Sequence, residues 1–81
     1  MTVQKAILTA MEEVLGLEED DLIENLDLDL FESGLVDSLA IVSLISVIEG
    51  HIGGKIAIKQ LSPEDFKTIN KFTAAIQKQV G

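Results

Sequence analysis

Five large aliphatic residues, Ile41, Leu44, Ile45, Ile48 and Ile52, recur at three- and four-residue intervals. At about 100° per residue they fall on one stripe of an α-helix, whereas the period of two in a strand would split them between two faces. The spacing predicts a helix over residues 38–50, with Ile52 continuing the stripe. Leu39, Val42, Ser43 and Ser46 then point outward, and two outward apolar side chains have no evident part in folding.

The rest of the chain must bury that stripe, and it offers helices to do so. Val3, Ile7, Ala10, Met11 and Val14 predict a helix over residues 2–15, stopped at Gly16. Ile69, Phe72, Ile76 and Val80 mark the buried face of a last helix, with Thr68 as its N-cap. Before it, Ser62-Pro63-Glu64-Asp65 carries the signals of a short helix: a capping serine, proline at the first position and acids in the first turn. Gly53-Gly54 ends the middle helix. The expected fold class is all-α, a small four-helix bundle of three longer helices and one short one, in a single domain over residues 1–81. With 81 residues and no cysteine, the core is small and nothing covalent staples it.

Residues 17–37 have no helical period. Nine acids and no base alternate with leucines, as in Leu26-Asp27-Leu28-Asp29-Leu30, but no second strand is apparent to pair with this segment. A loop of about twenty residues in a compact domain is usually functional or disordered. Its many large apolar residues favour an ordered loop anchored on the core, with a short helical turn near Glu18–Glu24.

Charge divides the chain. Residues 1–49 hold twelve acids against Lys5 alone, and residues 50–81 hold five lysines against Glu64 and Asp65, for a net charge of -8. Arginine, tryptophan and tyrosine are absent, so nucleic-acid binding is not expected. The acidic half favours basic partner surfaces, although the same charge serves solubility. No apolar run approaches the roughly 20 residues of a membrane span, and no leader segment is evident. A cytoplasmic, monomeric protein that is not membrane-embedded is expected.

Most chemistry can be set aside. His51 is the only histidine, thirteen residues after Ser38, or about 20 Å along a helix, so no Ser-His-Asp triad forms; His51 reads as a solvated residue at a helix end. Asn25, Asp27 and Asp29 fit the first ligand positions of a calcium loop, but Leu30 stands where glycine is needed and Val36 where glutamate is. No metal site is expected. Ser38 remains, where the loop passes into the helix. It could be an N-cap, a role Asp37 could equally fill, or it could carry a phosphodiester, which a helix N-terminus stabilises.

Phe31-Glu32-Ser33-Gly34-Leu35-Val36-Asp37-Ser38-Leu39 resembles the attachment motif of acyl and peptidyl carrier proteins, and the resemblance extends over essentially the whole chain. It implies that Ser38 receives 4′-phosphopantetheine from coenzyme A inside a separate phosphopantetheinyl transferase. It also implies that Asp37 helps engage that enzyme, and that Leu39 and Val42 lie where partners dock. Further partners would be an ATP-dependent acyl or amino-acid ligase and a downstream acyl-accepting enzyme. The chain itself would not be an enzyme. Asn25 to Glu32, followed by Gly34 to Ser38, looks most like D-alanyl carrier proteins, which serve teichoic acid D-alanylation. Carriers of fatty-acid, polyketide or nonribosomal peptide pathways stay open, although Ala40, Ser43 and Ser46 stand where fatty-acid carriers are usually acidic. From another class, a small acidic protein-interaction module with Ser38 only an N-cap is the alternative.

Overall fold

Thr2 starts the first helix by accepting the Lys5 N–H on its hydroxyl at 3.1 Å. In the computed structural model, which describes residues 2–80, α1 (Val3–Leu15) is followed by α2 (Glu19–Ile23), α3 (Ser38–Ile52) and α4 (Ile69–Val80). Single 3-10 turns lie at Ile58–Gln60 and Pro63–Phe66, and no strand occurs among the described residues. The all-α bundle read from periodicity is the fold.

The core forms where the stripes meet. α1 packs chiefly on α3, then on α4, while α2 lies against α1. Ile7, Met11, Leu44, Ile45, Ile48, Ile69, Phe72 and Ile76 are all but sealed from solvent. Ala6 and Leu8 are buried as well, because a helix with neighbours on several sides needs more than one narrow stripe. The Phe66 ring meets Phe72 edge to face, with centroids 5.2 Å apart, a favoured arrangement for aromatic quadrupoles.

Four local expectations change. The middle helix runs two residues further, to Ile52, because Gly53 supplies the left-handed C-cap (φ 71°) and returns its N–H to the Glu49 carbonyl. The short helix expected at Ser62 is a 3-10 turn, held by the Asp65 carboxylate accepting the Ser62 N–H at 2.9 Å. The Ile58–Gln60 turn was not expected, since Ile58 is exposed and belongs to no stripe. Val80, assigned to a buried face, is 42% exposed because α4 outruns the core at its end.

The long acidic loop is ordered and tied down twice. The Leu30 N–H donates to the Lys67 carbonyl at 2.7 Å, and the Asn70 N–H to the Leu26 carbonyl at 3.2 Å. Leu22, Leu30 and Val36 insert into the core. The loop is thus bonded both to the first turn of α4 and to the residue that ends the 3-10 turn before it, and the segment ending at Ser38 has a fixed course.

Candidate functional site

The approach to Ser38 is built from short-range bonds. Asp29 Oδ1 accepts the N–H groups of Phe31 at 3.0 Å and Glu32 at 2.9 Å, starting a turn that the Ser33 N–H closes onto the Asp29 carbonyl. Gly34 leaves that turn at φ +80°, a conformation that costs side-chain-bearing residues energy. Val36 then buries its side chain and donates its N–H to the Leu30 carbonyl at 3.1 Å. Two residues beyond that anchor the chain reaches Ser38.

Asp37, not Ser38, caps α3. Its backbone is extended and its Oδ1 accepts the Ala40 N–H at 2.8 Å, while its carbonyl accepts the Ile41 N–H. The alternative in which Ser38 serves only as the N-cap is thus corrected: one carboxylate satisfies the third helical N–H, and the serine is left as the first helical residue. Its side chain is exposed and makes no hydrogen bond among the described residues. Here a primary alcohol faces solvent without a structural task. Beside it, the N–H groups of Ser38 and Leu39 precede the first intrahelical bond and stay available to an anion. A phosphodiester on Ser38 fits this end of the helix, and Asp37 adds a negative charge next to it.

The residues one turn on are equally unemployed in the fold. Leu39 is 81% and Val42 59% exposed, while Ile41, Leu44, Ile45 and Ile48 on the opposite face are buried. Ser38, Val42 and Ser46 follow each other at four-residue steps, so serine and apolar patch share one outward stripe. Ser43 and Ser46 are exposed too. Glu49, the one acid of α3, is drawn away: its Oε2 accepts the Ile56 N–H at 2.7 Å and fixes the connection after the helix. The outer face of α3 thus offers neutral groups, a detail spacing could not reveal because the bond joins two elements across a turn.

The remaining candidates have other duties. His51 is not simply solvated: half-buried, its Nε2 lies 3.4 Å from both carboxylate oxygens of Glu13, joining the ends of α1 and α3. Of the calcium-like residues, Asn25 donates to the Asp21 carbonyl, Asp27 accepts from the Asn70 amide, and Asp29 caps the turn described above. Each shapes the loop. Away from Ser38, hydrogen bonds from Lys71 and Lys67 hold the Glu64 carboxyl below its ordinary range.

Comparisons with known proteins identify the family. Residues 5–76 match the family model described as "Phosphopantetheine attachment site". The chain is 37% identical over 68 residues to a D-alanyl carrier protein of Enterococcus faecalis, covering 84% of this chain and 85% of the relative. It is 37% identical over 60 residues to a D-alanyl carrier protein of Lactococcus lactis subsp. cremoris, covering 74% and 76%. With one of Streptococcus uberis it shares 32% over 78 residues, covering 96% and 95%. The chain therefore belongs to the phosphopantetheine-attachment family, as a carrier that holds its cargo as a thioester on a covalently bound 4′-phosphopantetheine.

Proposed function

We propose that Ser38 is the attachment point and that the cargo is D-alanine, held for transfer to a teichoic-acid-type acceptor. The observation that carries the first part is the division of work at the head of α3. Asp37 bonds Ala40, and the Ser38 hydroxyl is left exposed and unbonded. Within a phosphopantetheinyl transferase, the serine oxygen attacks the pantetheine-side phosphorus of coenzyme A. A new P–O bond forms, the pyrophosphate P–O bond breaks, 3′,5′-bisphosphoadenosine leaves, and the serine proton passes to a base of that enzyme. The arm supplies the thiol that this cysteine-free chain lacks. Ser38 and the first N–H groups of α3 hold its phosphate, and the fold keeps that point away from the core.

Asp37, Leu39 and Val42 are the contacts we assign to the transferase and the other partners. Those are an ATP-dependent ligase that charges the arm and an enzyme that accepts the cargo. The chain itself acts as a monomeric carrier and catalyses no step. No helix among the described residues is long and apolar enough to cross a membrane, which fits the cytoplasm, where coenzyme A and ATP are supplied. The D-alanine assignment rests on the names of the relatives and on the charge-free outer face of α3, which does not suit partners that read an acidic helix.

Intact mass tests both parts. With coenzyme A, Mg²⁺ and a broad-specificity transferase, the protein should gain one phosphopantetheine and Ser38→Ala none. With ATP and its ligase, the loaded protein should then accept D-alanine in preference to L-alanine or a fatty acid. Modification of Ser38→Ala would refute the attachment point, and preferential charging with a fatty acid would refute the cargo.

A further inference from the structure

The end of the molecule remote from Ser38 is basic. Leu30 is bonded both to Val36, just before Ser38, and to Lys67, just before α4, so α3 and α4 start near each other. They also finish together. The Gln79 side-chain amide accepts the Ala57 N–H at 2.7 Å and donates to the Ala57 carbonyl at 3.1 Å. α3 is about 22 Å long, and its length separates Ser38 from a groove of about 610 Å³ between α4 and the connection after α3. Ile56, Leu61 and Ala75 give the groove its apolar lining, and Lys55 and Lys78 border it. Lys59 stands on the exposed turn beside them. None of these three lysines has an ion-pair partner among the described residues, whereas Lys67 and Lys71 are paired with Glu64. Asp65, the one acid on the groove wall, is turned to Ser62, whose N–H it accepts at 2.9 Å and whose hydroxyl it accepts at 3.3 Å.

We propose that this groove docks an acidic peptide segment of a partner protein, one with an apolar side chain between carboxylates. The carboxylates meet Lys55 and Lys78, and the apolar side chain meets Ile56 and Leu61. The groove falls within the range of about 300 to 1,000 Å³ of small-ligand sites, which is room for a few side chains. Recognition runs through side chains. The N–H groups of Ile56 and Ala57 are taken by Glu49 and Gln79, and those of Gln60 and Leu61 by their own turn, so this edge cannot add a strand.

Charge and shape favour a peptide over an anionic membrane. Lipid recognition reads clusters of about four to eight basic residues, and only three stand here. A planar anionic surface also faces the field of a chain of net charge -8. Charges act over about 8 Å at physiological ionic strength, so a segment confined to the groove reads its lysines and not Asp29, Glu32 and Asp37 near Ser38. Docking here leaves Ser38, Leu39 and Val42 uncovered. A partner can thus retain the protein while a second enzyme works at the head of α3. The surface stands whether or not Ser38 bears an arm.

The test titrates the protein, followed by backbone-amide NMR, with the end-capped peptide Asp-Asp-Leu-Asp-Asp. The controls are Asn-Asn-Leu-Asn-Asn and Asp-Asp-Ser-Asp-Asp. Amides of residues 55–61 and 75–79 should shift with the first peptide, and each control should bind about fivefold more weakly or worse. Lys55→Gln and Lys78→Gln should each weaken binding about two- to fivefold, the factor an exposed ion pair is worth, with Tm unchanged. The rate of Ser38 loading by transferase and coenzyme A, read by intact mass, should not change with the peptide bound. Failure of the acidic peptide to bind, equal binding of the neutral one, shifts confined to other residues, or full affinity in the lysine variants would overturn the proposal. So would groove shifts caused by phosphatidylglycerol vesicles and not by the peptide, which would make the occupant a lipid surface. Groove shifts that follow protein dilution alone would make it a second copy and overturn the proposal equally. Blocked loading with the peptide bound would overturn the separation of the two ends.

Discussion

Replacing Asp37 and Ser38 separately by alanine divides the structural from the chemical role of the α3 start. Asp37→Ala removes the 2.8 Å bond to the Ala40 N–H and leaves the first three helical N–H groups of α3 to water. Loss of such a cap typically costs about 1 kcal/mol. In a domain of this size that lowers Tm by roughly 4–8 °C. Ser38→Ala removes an exposed hydroxyl with no bonded partner, a change worth within about 0.5 kcal/mol, or at most about 2–4 °C. Thermal melts followed by circular dichroism read both stability changes, and intact mass after incubation with transferase and coenzyme A reads the modification. The expected pattern is crossed: Asp37→Ala melts lower, and Ser38→Ala keeps its melting point while losing all modification. Asp37→Asn separates cap from charge, since asparagine caps as well as aspartate. It should restore Tm and still load more slowly if the carboxylate engages the transferase. A Tm loss in Ser38→Ala equal to that in Asp37→Ala would show that the serine holds the helix, and the reasoning would fail.

Three further outcomes are expected. Leu39→Glu or Val42→Glu, at positions 81% and 59% exposed, should impair loading at least tenfold, a loss of about 1.4 kcal/mol of transferase contact, with Tm unchanged; an equal fall in both would mean that the patch supports the fold. Gly34→Ala should lower Tm by roughly 4–8 °C or more, because φ is +80° and a left-handed backbone costs a side-chain-bearing residue about 1–2 kcal/mol. No atom lies within 4 Å of the added Cβ, so Gly34→Asn, which tolerates that backbone better, should recover part of the loss. The Glu64 carboxyl, held down first by its hydrogen bond to Lys71 and then by that to Lys67, is depressed in the folded state. Its contribution is full above its ordinary value of 4.5 and is lost as pH falls through the lower folded value. The Tm gap between wild type and Glu64→Gln should therefore narrow on acidification from neutral pH, and also in high salt, since the group is exposed; a gap that widens would reverse the sign.

The parts of this fold legible in the sequence are those set by near neighbours. Ile41, Leu44, Ile45 and Ile48 announce their face because a helix repeats its environment every turn, and the same repeat places Leu39 and Val42 in solvent. Gly16, Gly53 and Ser62 mark boundaries through their own backbone or side-chain chemistry. The parts that escaped depend on distant partners. His51 meets Glu13 across 38 positions, and Glu49 turns inward to Ile56. The acidic loop is ordered by bonds from Leu30 to Lys67 and from Asn70 to Leu26. No local pattern encodes these. The choice of cap between Asp37 and Ser38 was ambiguous for another reason. Both residue types cap well, and only the bond to Ala40 decides.

The two halves of the site act over different distances. Most acids of residues 1–49 lie in the loop before Ser38, and their field reaches about 8 Å at physiological ionic strength. It can attract and orient a basic partner before contact. At the contact we propose, a partner would meet Leu39, Val42, Ser43 and Ser46, none of which is charged, while Glu49 is committed to the Ile56 N–H. Apolar contact is non-directional and loses little when one surface replaces another of similar shape. Under that proposal several enzymes would use the same patch in turn, while the charge that speeds their arrival would stay outside the contact that holds them. Asp37 stands at the boundary, with one carboxylate oxygen bonded to the Ala40 N–H at 2.8 Å. The residue that ends the acidic loop is thus the one that frees the Ser38 hydroxyl from capping the helix.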